Sequence, residues 1–264
     1  MTVRPELMLF RGGGDLATGA VWRLWRARFP IVVCELAQPL TVRRTVSVSS
    51  AVTQGSVAVE GMPAQLAQSA THALELAGRG IVAVLVSPHI PAIPHDVLVD
   101  ARLAKRNIDT TIGDAPLVLA LGPGFEAGVD AHAVIETMRG PRLGRVLWSG
   151  TAEPNTGVPG EVGGKGAERV VRAPATGVVS WLVDIGDRVA VAQEMGRIGG
   201  CTVAAPFEGV VRGLIAEGTE VPVGLKIADV DPRVGVDCHE ISDKALAVGG
   251  GVLEAVLTWT SAAS

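Results

Sequence analysis

Gly12, Gly14 and Ala17 stand at the spacing GxGxx(G/A), directly behind the apolar run Leu7-Met8-Leu9-Phe10. In a strand–turn–helix unit this spacing binds dinucleotides. The first glycine allows a tight turn, the second lets the backbone approach a pyrophosphate, and the small third residue seats the helix against the strand. Gly13, Asp15 and Leu16 complete the turn, with the helix N-terminus facing the phosphate charge. A second apolar run, Ile31-Val32-Val33-Cys34, ends at Glu35. An acid there accepts hydrogen bonds from a ribose diol and favours NAD over NADP. The other reading of these glycines is a turn that merely packs tightly.

Two more turn-rich loops follow apolar runs, at 87–91 and 122–125. Ligands of parallel sheets bind outside the carboxyl ends of the strands. Ser87, Gly122 and Gly124 are therefore expected to share one crevice with the glycine turn. Arg43 and Arg44 are candidates to clamp a phosphate, because guanidinium forks match its oxygens; pairing with surface acids is the alternative. His89 is the leading proton-transfer candidate, with an intrinsic pKa near about 6.5. Lys105 is a second candidate, on condition that burial lowers its pKa. Cys201 and the pair Cys238-His239 raise sulfur transfer, which needs an accessible thiol of depressed pKa. No metal set is expected, since Asp237, Cys238, His239 and Glu240 are contiguous and rarely point inward together.

The elements that must position these residues follow from periodicity. Leu16, Ala17, Ala20, Val21, Leu24 and Trp25 recur at helical spacing behind the glycine turn. Pro63 is expected to open a helix with Leu66, Ala70, Ala73, Leu74 and Ala77 on one face. Val46, Val48, Val57 and Val59 suggest a small hairpin, and 96–106 a helix carrying Asp100 and Lys105 on different faces. The apolar runs at 81–86 and Leu117–Leu121 read as core strands. Alternating strands and helices argue for an α/β class, a Rossmann-like parallel sheet over residues 1–148. Residues 149–169 are rich in turn formers and read as a linker or lid. A helix from 241, capped by Ser242 or Asp243, returns to the first domain within 233–264. Gly249-Gly250-Gly251 in it mark a break or a close backbone contact.

Residues 170–232 contain an internal repeat. At an offset of 32, Ala173-Pro174 aligns with Ala205-Pro206, Gly177 with Gly209, and Val178-Val179 with Val210-Val211; Leu182, Gly186 and Val189 match Leu214, Gly218 and Val221. Two copies of one short-strand unit suggest interlocked halves of a small β barrel-sandwich. The pattern APxxGVV…GDxV resembles biotinyl and lipoyl carrier domains, whose acceptor lysine sits on the hairpin joining the halves. The corresponding join, 197–202, has no lysine, so swinging-arm carriage is not expected.

Composition narrows the class further. Apolar residues make up 48% of the 264 and aromatic residues 3%, with no Tyr, so Val, Ala and Leu must build the core. A net charge of −4 and no basic tract argue against nucleic acid as a partner. No export signal and no apolar run of about 20 residues point to a cytoplasmic protein without a membrane span. The odd count of scattered cysteines fits a reducing compartment.

Several segments together carry a family resemblance: Arg11-Gly-Gly-Gly-Asp-Leu-Ala-Thr-Gly, Gln38-Pro-Leu-Thr-Val-Arg-Arg-Thr-Val, Val99-Asp-Ala-Arg-Leu-Ala-Lys-Arg-Asn, Leu121-Gly-Pro-Gly-Phe, Val129-Asp-Ala-His-Ala-Val-Ile-Glu-Thr and Ile241-Ser-Asp-Lys-Ala. The chain resembles YqeB-type accessory proteins of selenium-dependent molybdenum hydroxylase systems and, more distantly, XdhC-type maturation factors. The resemblance implies a role in inserting, modifying or handing over the molybdenum cofactor. Its implied ligand is NAD or a molybdopterin dinucleotide in the glycine crevice. The implied partner is a hydroxylase subunit, with homo-oligomers also open. It implies no particular catalytic residue, and selenium enters through the family name alone. The alternatives are an NAD-dependent oxidoreductase of a small substrate, using His89 or Lys105, and a non-catalytic scaffold docking a hydroxylase subunit.

Overall fold

Every residue of Met8–Arg11 (β1), Val97–Asp100 (β6) and Leu117–Leu121 (β7) is buried, as in central parallel strands covered on both faces. The computed structural model describes residues 7–157, 161 and 163–262. The chain divides into two units, one of Met1–Ala37, Ser47–Thr156 and Ile241–Ser264, the other of Gln38–Val46 and Gly157–Glu240. The segment holding Arg43 and Arg44 thus groups with the second unit and not with the glycine turn's unit.

The first unit is a mixed α/β fold on a nine-stranded sheet. Its remaining strands are Ile31–Glu35 (β2), Ser56–Val59 (β3), Met62–Ala67 (β4), Val82–Val86 (β5), Ala133–Ile135 (β9) and Val146–Leu147 (β10). Their order is β10-β9-β7-β6-β1-β2-β5-β4-β3, parallel except at the two edges, where β3 and β10 run antiparallel to their neighbours. Glu126–Ala127 (β8) and Gly150–Thr151 (β11) form a separate ribbon. The helices are Asp15–Arg26 (α1), Ala51–Gln54 (α2), Ala70–Gly78 (α3) and Asp243–Ala262 (α4). This is the Rossmann-like α/β class.

Two expected helices are corrected. Residues 62–67, expected to open a helix at Pro63, form β4, paired in parallel with β5 and antiparallel with β3. Sheet pairing on both sides overrides the proline signal, and the helix starts later, where the Ser69 hydroxyl caps α3 by accepting from the His72 N–H at 3.1 Å. Residues 96–106 are not a helix either. Val97–Asp100 are wholly buried between β1 and β7, and 101–110 is a loop, so Asp100 and Lys105 share no helix. Of the expected valine hairpin, Val57 and Val59 lie in β3, whereas Val46 and Val48 lie in short 3-10 turns.

α1 ends in a left-handed cap at Arg28 (φ 67°). There Phe29 N–H reaches Leu24 O (3.1 Å) and Arg28 N–H reaches Trp25 O (2.9 Å), satisfying two terminal carbonyls. α4 begins with Ser242, whose hydroxyl accepts from Ala245 N–H at 3.1 Å. Gly249 and Gly251 mark close backbone contacts, and the helix runs through them without a break. A Cβ on Gly249 would lie 2.5 Å from Gly19 O, and one on Gly19 would lie 2.3 Å from Ala245 O. By length and composition α4 is apolar enough to cross a membrane, with a mean hydropathy of 1.3, yet 44% of that stretch is buried within the fold.

The second unit contains Val170–Arg172 (β12), Gly177–Trp181 (β13), Arg188–Val189 (β14), Glu194–Ile198 (β15), Cys201–Ala204 (β16), Gly209–Leu214 (β17), Glu220–Val221 (β18) and Lys226–Asp231 (β19). They form two four-stranded antiparallel sheets, β12-β19-β17-β14 and β16-β15-β13-β18. Translating the repeat maps β12, β13, β14 and β15 onto β16, β17, β18 and β19, so each sheet takes two strands from each copy. Val179, Val189, Ile198, Val211, Val221 and Val230 share one apolar core. Residues 158–160 and 162 of the expected linker or lid lie outside the described residues.

The helix contact yields a paired test. Gly249→Val should destabilise the protein by about 1–3 kcal/mol through overpacking. Gly250→Ala, where nothing lies within 4 Å, should stabilise it by roughly 0.5–1 kcal/mol. Urea midpoints that shift alike for both variants would contradict the contact.

Candidate functional site

The strand order reverses between β1 and β6, because the chain leaves β1 toward β2 and later returns to β1's other side. In open α/β sheets this switch point forms a crevice at the carboxyl ends of the strands. Its two last residues are Arg11 and Asp100, partners in register, 3% and 1% exposed. Neither charge is tolerable alone at such burial. Arg11 is bound by Asp109 (2.7 Å) and by the Thr110 hydroxyl (2.9 Å). Thr110 in turn donates to Asp100 at 2.6 Å. Arg102 Nε lies 3.1 and 3.2 Å from the Asp100 oxygens, and its NH1 lies 2.8 Å from Asp109. Two guanidiniums and two carboxylates therefore close a neutral network. The hydrogen bond from Arg11, helped by Arg102, brings the Asp109 carboxyl down to about 2.

The loop that supplies this network is strained. Leu103 (φ 54°) and Lys105 (φ 63°) both occupy the left-handed region. Gly124 is what admits it, since a Cβ there would lie 2.4 Å from Arg106 Cα. The loops after β1, β6 and β7 consequently converge. The loop after β5 meets the same edge through Ser87 N–H, which donates to Glu35 O at 3.0 Å.

At the glycine turn, Gly12 (φ 93°) adopts a backbone only glycine holds easily. A Cβ on Gly12 would lie 3.1 Å from Ala101 O, and one on Gly13 would lie 3.1 Å from Ser49 N. Chain neighbours, then, already demand small residues here. Two of the turn's donors have internal partners: Gly13 N–H donates to Glu35 Oε2 at 2.8 Å, and Leu16 N–H to the carboxylate of Asp15 at 3.0 Å. Glu35, expected to face a ribose, instead holds the turn and its own Leu36 N–H (2.8 Å).

Lys244, in the first turn of α4, comes to the same place. Burial pushes its ammonium below the ordinary lysine range, and Asp15 is the largest influence opposing this, followed among the acids by Glu136. Glu136, at the end of β9, is fully buried, and its carboxylate accepts from Met138 N–H (2.6 Å) and Glu153 N–H (2.8 Å). Neither Lys244 nor Arg11 stands out by spacing. Arg11 precedes the glycines, and Lys244 sits in Ile241-Ser-Asp-Lys-Ala, so the signal was present only as a family segment.

Of the other candidates, Lys105 lies in the converging loop after β6 and Gly122 in the loop after β7. His89 and Lys105 are exposed, and Ser87 Oγ donates to His89 O at 2.6 Å. Gly122 (φ 79°) backs onto Thr137, with room for no Cβ beside its hydroxyl. Arg43 donates to Glu240 O (3.1 Å) and Arg44 to Leu214 O (2.6 Å), both within the second unit. Cys238 is buried, which raises its thiol pKa against the pull of Arg43 and Arg212; burial takes Cys34 up to about 12. Neither is an activated sulfur. Cys201 is exposed beside the Gly199-Gly200 turn.

A Rossmann-like sheet with a glycine turn and a buried ion network at its switch point defines the class of this protein. No protein-family model matches the chain. Over 256 residues it is 45% identical to the uncharacterized protein YqeB of Escherichia coli (strain K12). The match covers 96% of this chain and 47% of that protein, so the chain spans about half the length of this relative. The chain is a YqeB-type protein. Among solved structures, a succinylglutamate desuccinylase/aspartoacylase from Rhodobacter sphaeroides aligns at 22% identity. That alignment covers 32% of this chain and 29% of the other at a TM-score of 0.23, too slight a likeness to inform the fold or chemistry.

The depressed Asp109 pKa gives the network a defined acid limit. Its contribution should be complete above about pH 4 and fall away as pH drops toward 2. Asp109→Asn should flatten that part of the thermal-midpoint profile between pH 5 and 2. An unchanged profile would remove Asp109 from the network.

Proposed function

We propose that the chain is a cofactor-handling accessory protein of a molybdenum-dependent hydroxylase. It holds the phosphate portion of a nucleotide or molybdopterin dinucleotide at the carboxyl edge of its first sheet. The observation that carries this reading is the Glu35 carboxylate on the Gly13 N–H, an internal anion seated on the turn. A phosphate oxygen competes for that donor, with Lys244 placed to offset the added charge beside Asp15. Gly12, Gly13, Gly14 and Leu16 would hold the ligand, and Arg11 and Arg102 would brace the turn from the β6 side. The dinucleotide supplies its own redox or pterin chemistry when bound. This chain's residues bind it, orient it and hold one titratable amine, Lys244, near it.

The second unit, in the same proposal, is a biotinyl/lipoyl-like barrel-sandwich module without an acceptor lysine. Its place on the joining hairpin is taken by Gly199 and Gly200, both at positive φ. Such a module serves to dock a hydroxylase subunit and not to carry a group. A cytoplasmic location belongs to this reading.

Calorimetry with NAD, NADP and a molybdopterin dinucleotide tests it, with preference for the last expected. Lys244→Met should weaken that binding about tenfold, equivalent to about 1.4 kcal/mol. Glu35→Ala should strengthen binding of inorganic pyrophosphate by freeing the Gly13 N–H. Silence from all three dinucleotides would return the turn to a packing role. NAD binding with hydride transfer would instead make the protein an oxidoreductase, and binding of a hydroxylase subunit alone would make it a scaffold.

A further inference from the structure

Two of the chain's five tryptophans stand with three arginines in Trp22-Arg23-Leu24-Trp25-Arg26-Ala27-Arg28, at the end of α1. The Arg23 and Arg26 guanidiniums lie 5.7 and 5.2 Å from the centre of the Trp22 ring. The Trp25 indole N–H donates to Gly80 O at 2.9 Å, which brings Arg79, at the end of α3, to the same corner. Arg26, Arg28 and Arg79 are exposed. Among the described residues none of these four arginines pairs with a carboxylate, whereas Arg139, Arg142, Arg188 and Arg197 on the surface each do. Among the described residues, Trp22 Nε1 and Arg23 Nε are also buried with no acceptor. The dipole of a helix carboxyl end favours basic residues in the last turn, yet it supplies no acceptor for those two N–H groups. A concentration of four cations is unexpected in a chain of net charge −4.

We propose that this corner of the first unit docks an acidic segment of a partner protein. Carboxylates match the planar guanidinium forks two bonds at a time. Tryptophan and arginine are the side chains that most often dominate protein–protein binding energy. Nucleic acid is the poorer match, because domains that bind it are basic as a whole and this chain is acidic. The corner lies where α1 and α3 lead into the amino ends of β2 and β5. It is thus on the edge of the sheet opposite the glycine turn, and a partner bound there leaves that turn open.

A fluorescein-labelled deca-glutamate peptide, followed by anisotropy with the full chain at low ionic strength, tests the proposal. Saturable binding is expected, weakening as salt screens it. The double variant Arg26→Glu/Arg79→Glu should lose at least tenfold in affinity with an unchanged melting temperature. Arg188→Glu, an exposed change in the second unit, should bind as the wild type does. The neutral variant Arg26→Gln should give an intermediate loss, and it serves as the readout if the double variant melts early. Three results would overturn the assignment: no saturable binding, an equal loss in Arg188→Glu, or tighter binding of a DNA duplex carrying the same charge.

Discussion

The burial of Arg11 beside Asp100, each of which must be neutralised by the loop after β6, is the constraint around which the first unit is arranged. Both charges are buried at the ends of adjacent central strands. A slip of β1 by two residues would set Arg11 against Leu98 and carry its guanidinium away from Asp109 and Thr110, leaving a buried cation without partners at a cost of roughly 3–5 kcal/mol. Register is therefore fixed where apolar side chains alone would tolerate several alignments. The remaining bonds follow from the same need. Asp109 and Thr110 take up Arg11, Arg102 and Thr110 take up Asp100, and the loop bends through Leu103 and Lys105 to deliver them.

That loop also shapes the glycine turn. Ala101 presses on Gly12 from one side and Val48-Ser49 on Gly13 from the other. The turn is small because its neighbours leave no room for a Cβ, and its donors already hold the carboxylates of Glu35 and Asp15. The N–H groups that hold these internal carboxylates and the tight packing of the turn are thus one object. In the function proposed above, a phosphate would compete with the protein's own acids for these N–H groups, and its affinity would be the difference between two sets of hydrogen bonds.

The second unit is governed by symmetry. Each sheet draws two strands from each repeat, so neither copy can bury its apolar side alone. Gly177 and Gly209 illustrate the shared demand. A Cβ at the first would lie 3.0 Å from Gly199 N, and at the second 2.5 Å from Asp231 O, so the repeat keeps glycine where strands approach one another. The same close approach governs α1 and α4, where Gly19 and Gly249 let two backbones meet.

The strand, turn and helix at 7–26, the buried runs at β2, β5 and β7, and the 32-residue repeat were legible in the sequence. Their signals are local: apolar continuity, glycine spacing and self-similarity need no partner to be read. β4 and β6 were not legible, because their strand character comes from neighbours on both sides, which outweighed a proline at 63 and helix-forming residues after Asp100. The ion network and Lys244 belong to the same category. Arg11, Asp100, Asp109 and Lys244 are ordinary charged residues until strand register, the loop after β6 and the return of α4 give each its neighbours, and the burial of Arg11 and Asp100 exists only after folding. Residue order was enough to settle which segments are apolar, where the chain turns and that one unit is doubled. The tertiary structure alone decided which charges are buried, and hence which must find partners, because desolvation is a property of position and not of residue type.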